Sequence, residues 1–205
     1  GGTFRRMKYV IVGTDRPGSN SKKVAELVRE LYAKNHGETV EILDLGEIVK
    51  GLQTGPQYGA VSHPILTEAA HKVEKSDGLI MVVPEYNGSM PGVLKYFIDH
   101  LKYPDAFEAR PVCFIGLGGM FGGLRPVEHL QQVFGYRNAY IFPERIFLMN
   151  VHQHYKKSDA NPEGTLKDPM ILSLLQKQIA GFRKFVDALK SAELHSLTKP
   201  ASPSK

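Results

Sequence analysis

The feature that most constrains this chain is an alternation of two periods. Short apolar, β-rich runs recur between segments whose apolar residues return every three or four positions. Lys8 to Val12 (KYVIV) ends at Gly13 and gives way to a polar loop, after which Val24, Leu27, Val28 and Leu31 repeat at helical spacing. Thr39 to Leu43 (TVEIL) reads as a second strand. A helix beginning after Pro64 carries the chain to Ser76, where Asp77-Gly78 turns it into Leu79 to Val83 (LIMVV). That run is unbroken in its apolarity, as a strand covered on both faces is. Met90, Val93, Leu94, Phe97, Ile98 and Leu101 predict a helix with Pro91 in its first turn. Val112 to Leu117 (VCFIGL) is the fourth strand, and a helix follows from about Leu124 to Phe134. Ala139 to Phe142, with Ile146 to Leu148 as a candidate continuation, makes the fifth strand, and a last helix carries Ile171, Leu174, Leu175, Ile179, Phe182, Val186 and Leu189. Five strands alternating with five helices predict an α/β fold. Its sheet is parallel and doubly wound with helices on both faces, because parallel neighbours need crossover connections and these are right-handed.

A length of 205 residues favours one compact core, and a chain that is 42% hydrophobic and 23% charged is neither disordered nor fibrous. With no apolar run of about 18 residues and no apolar N-terminal signal, a soluble, cytoplasmic protein without a membrane partner is expected. The single cysteine, Cys113, lies in an apolar run and reads as a small buried hydrophobe. A net charge of +5 is spread over Lys and Arg residues interleaved with Asp and Glu, so no nucleic-acid partner is expected. The same balance speaks against a one-electron shuttle, which presents an acidic docking face, and for an enzyme that attracts anions. Residues 1–6 read as a tag remnant or extension, 7–190 as the folded domain, and 191–205, ending SLTKPASPSK, as a disordered tail.

Doubly wound sheets bind ligands beyond the carboxyl ends of their strands, so three loops matter. The first, Gly13 to Ser21, offers Thr14, Arg16, Ser19, Asn20 and Ser21 as donors to a phosphate at a helix start, or holds only an ordinary N-cap at Ser19 or Asn20. It lacks both the lysine-bearing Walker pattern and the G-x-G-x-x-G fingerprint. The second, Pro84-Glu85-Tyr86-Asn87-Gly88-Ser89, suits a flat heteroaromatic ring or is merely a helix-entry turn. The third, Gly118 to Gly123, has four glycines that allow close backbone approach or simply form a turn. Two further segments, 46–63 with four glycines and the polar 151–167, read as long loops of the functional kind.

At these residues the sequence resembles the NAD(P)H-dependent FMN reductase family of the flavodoxin-like superfamily, which includes quinone, azo-dye and chromate reductases. Gly13 to Ser21 matches the family's G-S-x-R-x-x-S-x-N phosphate loop, with Thr14 for serine and Ser21 for asparagine. Pro84 to Lys95 matches P-E-Y-N-x-S-x-P-G-x-L-K, and Gly122-Gly123-Leu124-Arg125 matches G-G-x-R. The resemblance implies a flavodoxin-like sheet of order 2-1-3-4-5 and a noncovalent FMN. It implies that Thr14, Arg16, Ser19 and Ser21 hold the phosphate, with Asn20 beside them, that Pro84, Glu85, Tyr86, Asn87 and Gly88 line the isoalloxazine, and that Gly118, Gly119 and Gly122 close its other side. NADPH or NADH would be the co-substrate and a small molecule the electron acceptor, in a homodimer or homotetramer. No side chain is needed as general acid or base. A flavodoxin-type electron carrier and a phosphate-binding regulatory domain are the alternative readings. Tyr86 either shapes the substrate face or is structural. Arg125 binds the ribose phosphate of NADPH or pairs with Glu128. Tyr96, Phe97 and Tyr103 are candidates to pack a partner subunit. His152, His154 and Asp159 read as a surface loop in preference to a metal site.

Overall fold

The computed structural model describes residues 6–52, 63–158 and 161–201, with the backbone alone for 156–158 and 161–165. In chain order the elements are β1 (Lys8–Val12), α1 (Asn20–His36), β2 (Glu41–Asp44), α2 (Leu45–Ile48), α3 (Pro64–Glu74), β3 (Gly78–Pro84), α4 (Gly92–His100) and β4 (Pro111–Gly118). There follow α5 (Leu124–Tyr136), β5 (Tyr140–Ile141), β6 (Ile146–Met149), β7 (Tyr155–Ser158), β8 (Asn161–Leu166) and α6 (Pro169–Ser191). Single 3₁₀ turns occupy Val49–Gly51 and Val151–His154.

The main sheet runs β2-β1-β3-β4-β5, with β6 also on β4, and every pairing in it is parallel. Successive side chains on a strand point to opposite faces. Tyr9, Ile11, Met81, Val83 and Phe114 therefore pack under α3, α4 and α5. Val10, Val12, Ile80, Val82, Cys113 and Ile115 pack under α1 and α6. Both layers are apolar, which is why the strands read as continuous apolar runs. Burial pushes the Cys113 thiol well above its ordinary pKa, so it serves as packing. The registers Val12↔Val82, Pro84↔Leu117 and Gly118↔Met149 bring the carboxyl ends of β1, β3, β4 and β6 to one edge.

Several expectations need correction. The fifth strand is two short pieces, β5 and β6, separated by Phe142 to Arg145, so six strands lie in this sheet. Pro143 has no N–H to give a ladder. The α6 side chain of Gln178, 2% exposed, donates instead to Phe114 O and Glu144 O, both at 2.9 Å. Pro91 precedes α4 as its cap with extended ψ (138°) and is not in the first turn. The polar 151–167 segment contains the antiparallel β7–β8 hairpin, and the 46–63 segment opens with α2, its residues 53–62 lying outside the described ones. Phe97 is a core residue rather than a subunit contact; Tyr96 stacks edge-on against His100 (4.7 Å), and Tyr103 is 57% exposed. The chain also stays on the body past residue 190, because α6 continues to Ser191, His195 is buried, and Ser196 N donates to Ala109 O (2.7 Å). Among the described residues no helix is long and apolar enough to cross a membrane.

Candidate functional site

The first loop leaves β1 with Gly13 N bonded to Val82 O (2.8 Å), which turns the chain over β3. Thr14 is 1% exposed: its Oγ1 accepts from Arg16 N (3.2 Å) and lies 2.6 Å from the Tyr86 hydroxyl. Gly18, in the left-handed region (φ 60°), brings Ser19 into the N-cap position of α1, where its Oγ accepts from Lys22 N (3.0 Å). The first amides of the helix, Asn20 and Ser21, then have no intrahelical acceptor. The first turn of α1 holds no acid, so the positive end of a 17-residue helix is uncompensated.

The second loop is a tight turn. Tyr86 and Ser89 exchange both backbone hydrogen bonds (2.9 and 3.2 Å), with Asn87 (φ 54°) and Gly88 (φ 77°) at the tip. It is tied to β4 by Glu85 N→Leu117 O (3.1 Å), to the first loop by Tyr86, and to α5 by Ser89 Oγ, 2.7 Å from His129 Nδ1. Arg125 faces the ring of Phe121 (5.9 Å), and a Cβ on Gly88 would stand 3.6 Å from its Nη1. Glu128 pairs with Arg145 (2.9 Å) and not, among the described residues, with Arg125, which was the second of the two readings of that side chain.

The glycines of the third loop have mainly packing reasons. A Cβ on Gly118 would stand 2.7 Å from Gly123 N, one on Gly122 3.0 Å from the Phe147 backbone, and one on Gly123 2.6 Å from Leu117 N. Gly119 alone of these meets nothing nearer than Asn150 Oδ1, at 3.9 Å, so its backbone is open to a ligand.

These loops and the chain after β6 enclose a cleft of about 430 Å³. Of the expected residues, Arg16, Ser19, Asn20 and Ser21 from the first loop, Pro84, Glu85 and Tyr86 from the second, and Gly118 and Gly119 from the third line it. Thr14, Asn87, Gly88 and Gly122 do not: Thr14 is buried beneath Tyr86, Asn87 and Gly88 form the turn tip near Arg125, and Gly122 packs on Phe147. Leu117, Asn150, Val151 and His152 also line it and were missed. The signal for the last three was present, since they follow β6, whose Ile146 to Leu148 reads as a candidate continuation of the fifth strand, but the residues beyond it were not assigned to the cofactor. Glu85 contributes a carboxylate oxygen, Oε1, that is buried without a hydrogen-bond partner among the described residues. His152 and His154 diverge: the first lies on the cleft wall, and the second pairs with Asp168 (3.1 Å). Asp159 lies outside the described residues. Among the described residues no three acidic, His or Cys side chains group as metal ligands.

The cleft has the anion-attracting start of α1 and the open backbone of Gly119 in its lining, a combination suited to a phosphate-bearing ligand. The chain is 26% identical over 150 residues to an NADPH:quinone oxidoreductase of Arabidopsis thaliana, covering 73% of this chain and 75% of that protein. It is 34% identical over 131 residues to a quinone reductase of Escherichia coli K12, covering 62% of this chain and 68% of that one. In fold it superposes on the flavoenzyme NAD(P)H:(acceptor) oxidoreductase FerB from Paracoccus denitrificans with a TM-score of 0.72, at 19% identity over 90% of this chain and 98% of the other. Residues 9–154 match the family described as NADPH-dependent FMN reductase. This chain belongs to that family, flavodoxin-like oxidoreductases that use FMN and NADPH.

Proposed function

We propose that this protein holds FMN in the cleft at the carboxyl edge of the sheet and passes electrons from a reduced nicotinamide to a small-molecule acceptor. Quinones, azo compounds, metal oxyanions and free flavin are the acceptor classes. The observation that carries the reading is the meeting of four strand ends at one cleft that has the uncompensated start of α1 on its wall.

The residues fit the cofactor. Arg16 brings a guanidinium, Asn20 and Ser21 bring helix-start amides and side chains, and Ser19 Oγ, already accepting from Lys22 N, keeps its proton to donate. This donor set suits a phosphate monoester. Pro84, Glu85 and Tyr86 lie beside Gly118 and Gly119 in the same cleft, where the open backbone at Gly119 admits a flat ring. Thr14 would act through Tyr86 instead of touching the phosphate, and Asn87, Gly88 and Gly122 would shape the loops. Bound FMN supplies hydride acceptance from the nicotinamide and electron return to the acceptor, chemistry that belongs to the cofactor. The chain's own part is to bind, orient and shield. Tyr86, with its hydroxyl held by Thr14, is a rigid wall; none of these side chains is assigned a proton-transfer role. Self-association and a cytoplasmic setting belong to the same proposal; the lone buried Cys113 fits the second.

The test is an anaerobic absorbance titration of the purified protein with FMN, then NADPH, then a quinone. A protein-bound flavin band that bleaches with NADPH and returns with quinone is expected. A bound flavin that stays oxidised would make the protein an electron carrier, and failure to bind FMN would remove the cofactor from these loops.

A further inference from the structure

We propose that His152 is a second basic side chain, beside Arg16, for the phosphate end of the cofactor. The inference rests on the FMN reading above and adds a residue from a fourth loop to it. Asn150, in the left-handed region (φ 48°, ψ 43°) with its N–H on Gly118 O (2.8 Å), bends the chain away from β6 across the sheet edge. Val151, 3% exposed, pins it into the layer shared with α1 and α6. Three residues beyond His152, the ring of Tyr155 lies under Lys23 (5.1 Å) on the first turns of α1. The segment thus spans from the end of β4 to the start of α1, and His152 lies between those anchors with its side chain exposed on the cleft wall that Asn20 and Ser21 also line.

The neighbouring charges are otherwise engaged. Lys22 pairs with Asp44 (3.4 Å) and His154 with Asp168 (3.1 Å). His152 has no hydrogen bond or ion pair among the described residues. Among the described residues the charged or titratable groups on the cleft besides it are Arg16 from the first loop and Glu85 and Tyr86 from the second, with the Tyr86 hydroxyl bonded to Thr14. A phosphate at the start of α1 gives the imidazole an anionic partner, and a protonated imidazole offers it a charge-assisted N–H.

Affinities for FMN and for riboflavin, which lacks the phosphate, are to be measured by flavin fluorescence quenching in the wild type, His152→Ala and His152→Lys. His152→Ala should weaken FMN binding about tenfold and leave riboflavin binding unchanged, and His152→Lys should retain most of the preference for FMN. An equal loss for both ligands, or no loss for either, would overturn the assignment. Failure of the wild type to bind FMN would overturn the cofactor reading itself, and His152 with it.

Discussion

The imidazole of His195 is buried with its Nε2–H on Asp77 O (2.7 Å) and its Nδ1 accepting from Leu197 N (3.0 Å), a pairing that requires the neutral ring. Burial lowers its pKa; the Asp77 carbonyl and carboxylate oppose this, and Arg110 and Lys190 reinforce it. The unfolded chain therefore binds this proton more readily than the folded one. The stabilisation is complete above the unfolded histidine pKa, near 6.5, and is lost as pH falls toward the lowered folded value. Denaturant unfolding at about pH 7 and about pH 5 should show a larger loss of stability for the wild type than for His195→Gln; equal losses would mean that His195 does not govern this window. Nothing in SLTKPASPSK announces the attachment, because its anchors are polar: Ser196 N on Ala109 O (2.7 Å), Thr198 Oγ1 on Lys190 O (3.3 Å) and Lys199 on Glu108 (3.0 Å). Thr14 illustrates a related limit. Its hydroxyl was legible as a donor near a phosphate, but the partner it bonds, Tyr86, comes from 72 residues away and only the fold brings the two together.

At the scale of elements, each strand of the main sheet that is buried on both faces was legible from its apolar run, and α1, α4 and α6 from their period. What escaped was structure made by hydrogen bonds that leave no apolar trace. The β7–β8 hairpin is built on a polar segment. The break between β5 and β6 was signalled by Pro143, but its repair depends on Gln178 from α6, whose amide serves Phe114 O and Glu144 O. Gln178→Leu would leave the buried Phe114 carbonyl and the partly buried Glu144 carbonyl without this donor and should lower the unfolding free energy by roughly 1–3 kcal/mol, measured as a fall in denaturant midpoint at unchanged slope. A loss below about 0.5 kcal/mol would mean that these carbonyls find other donors when the amide is gone. The third loop shows a pattern read correctly for a reason that was only partly right: its glycines were legible, but Gly118, Gly122 and Gly123 are demanded mainly by the loop folding back on β4 and β6.

Across the whole molecule, the strand order places β1 and β3 at the centre of the sheet and sends their loops to the edge where β4 and β6 also end. That arrangement gathers residues from positions 16 to 152 into one cleft, and it explains why motifs scattered along the sequence still indicated a single site. The part of the site left unassigned from the sequence, Asn150 to His152, follows the second piece of a split strand, and the pairing of β6 with β4 is what sets it beside the other loops. The central claim is that FMN occupies this cleft. Backbone amide chemical shifts of the isotope-labelled protein, followed as FMN is added, test it most directly. The largest changes should fall on Asn20, Ser21, Glu85, Tyr86, Gly118, Gly119 and His152, with α3 and the amino end of the sheet unmoved. Changes concentrated elsewhere, such as around the exposed Tyr103 and Tyr136, would contradict it.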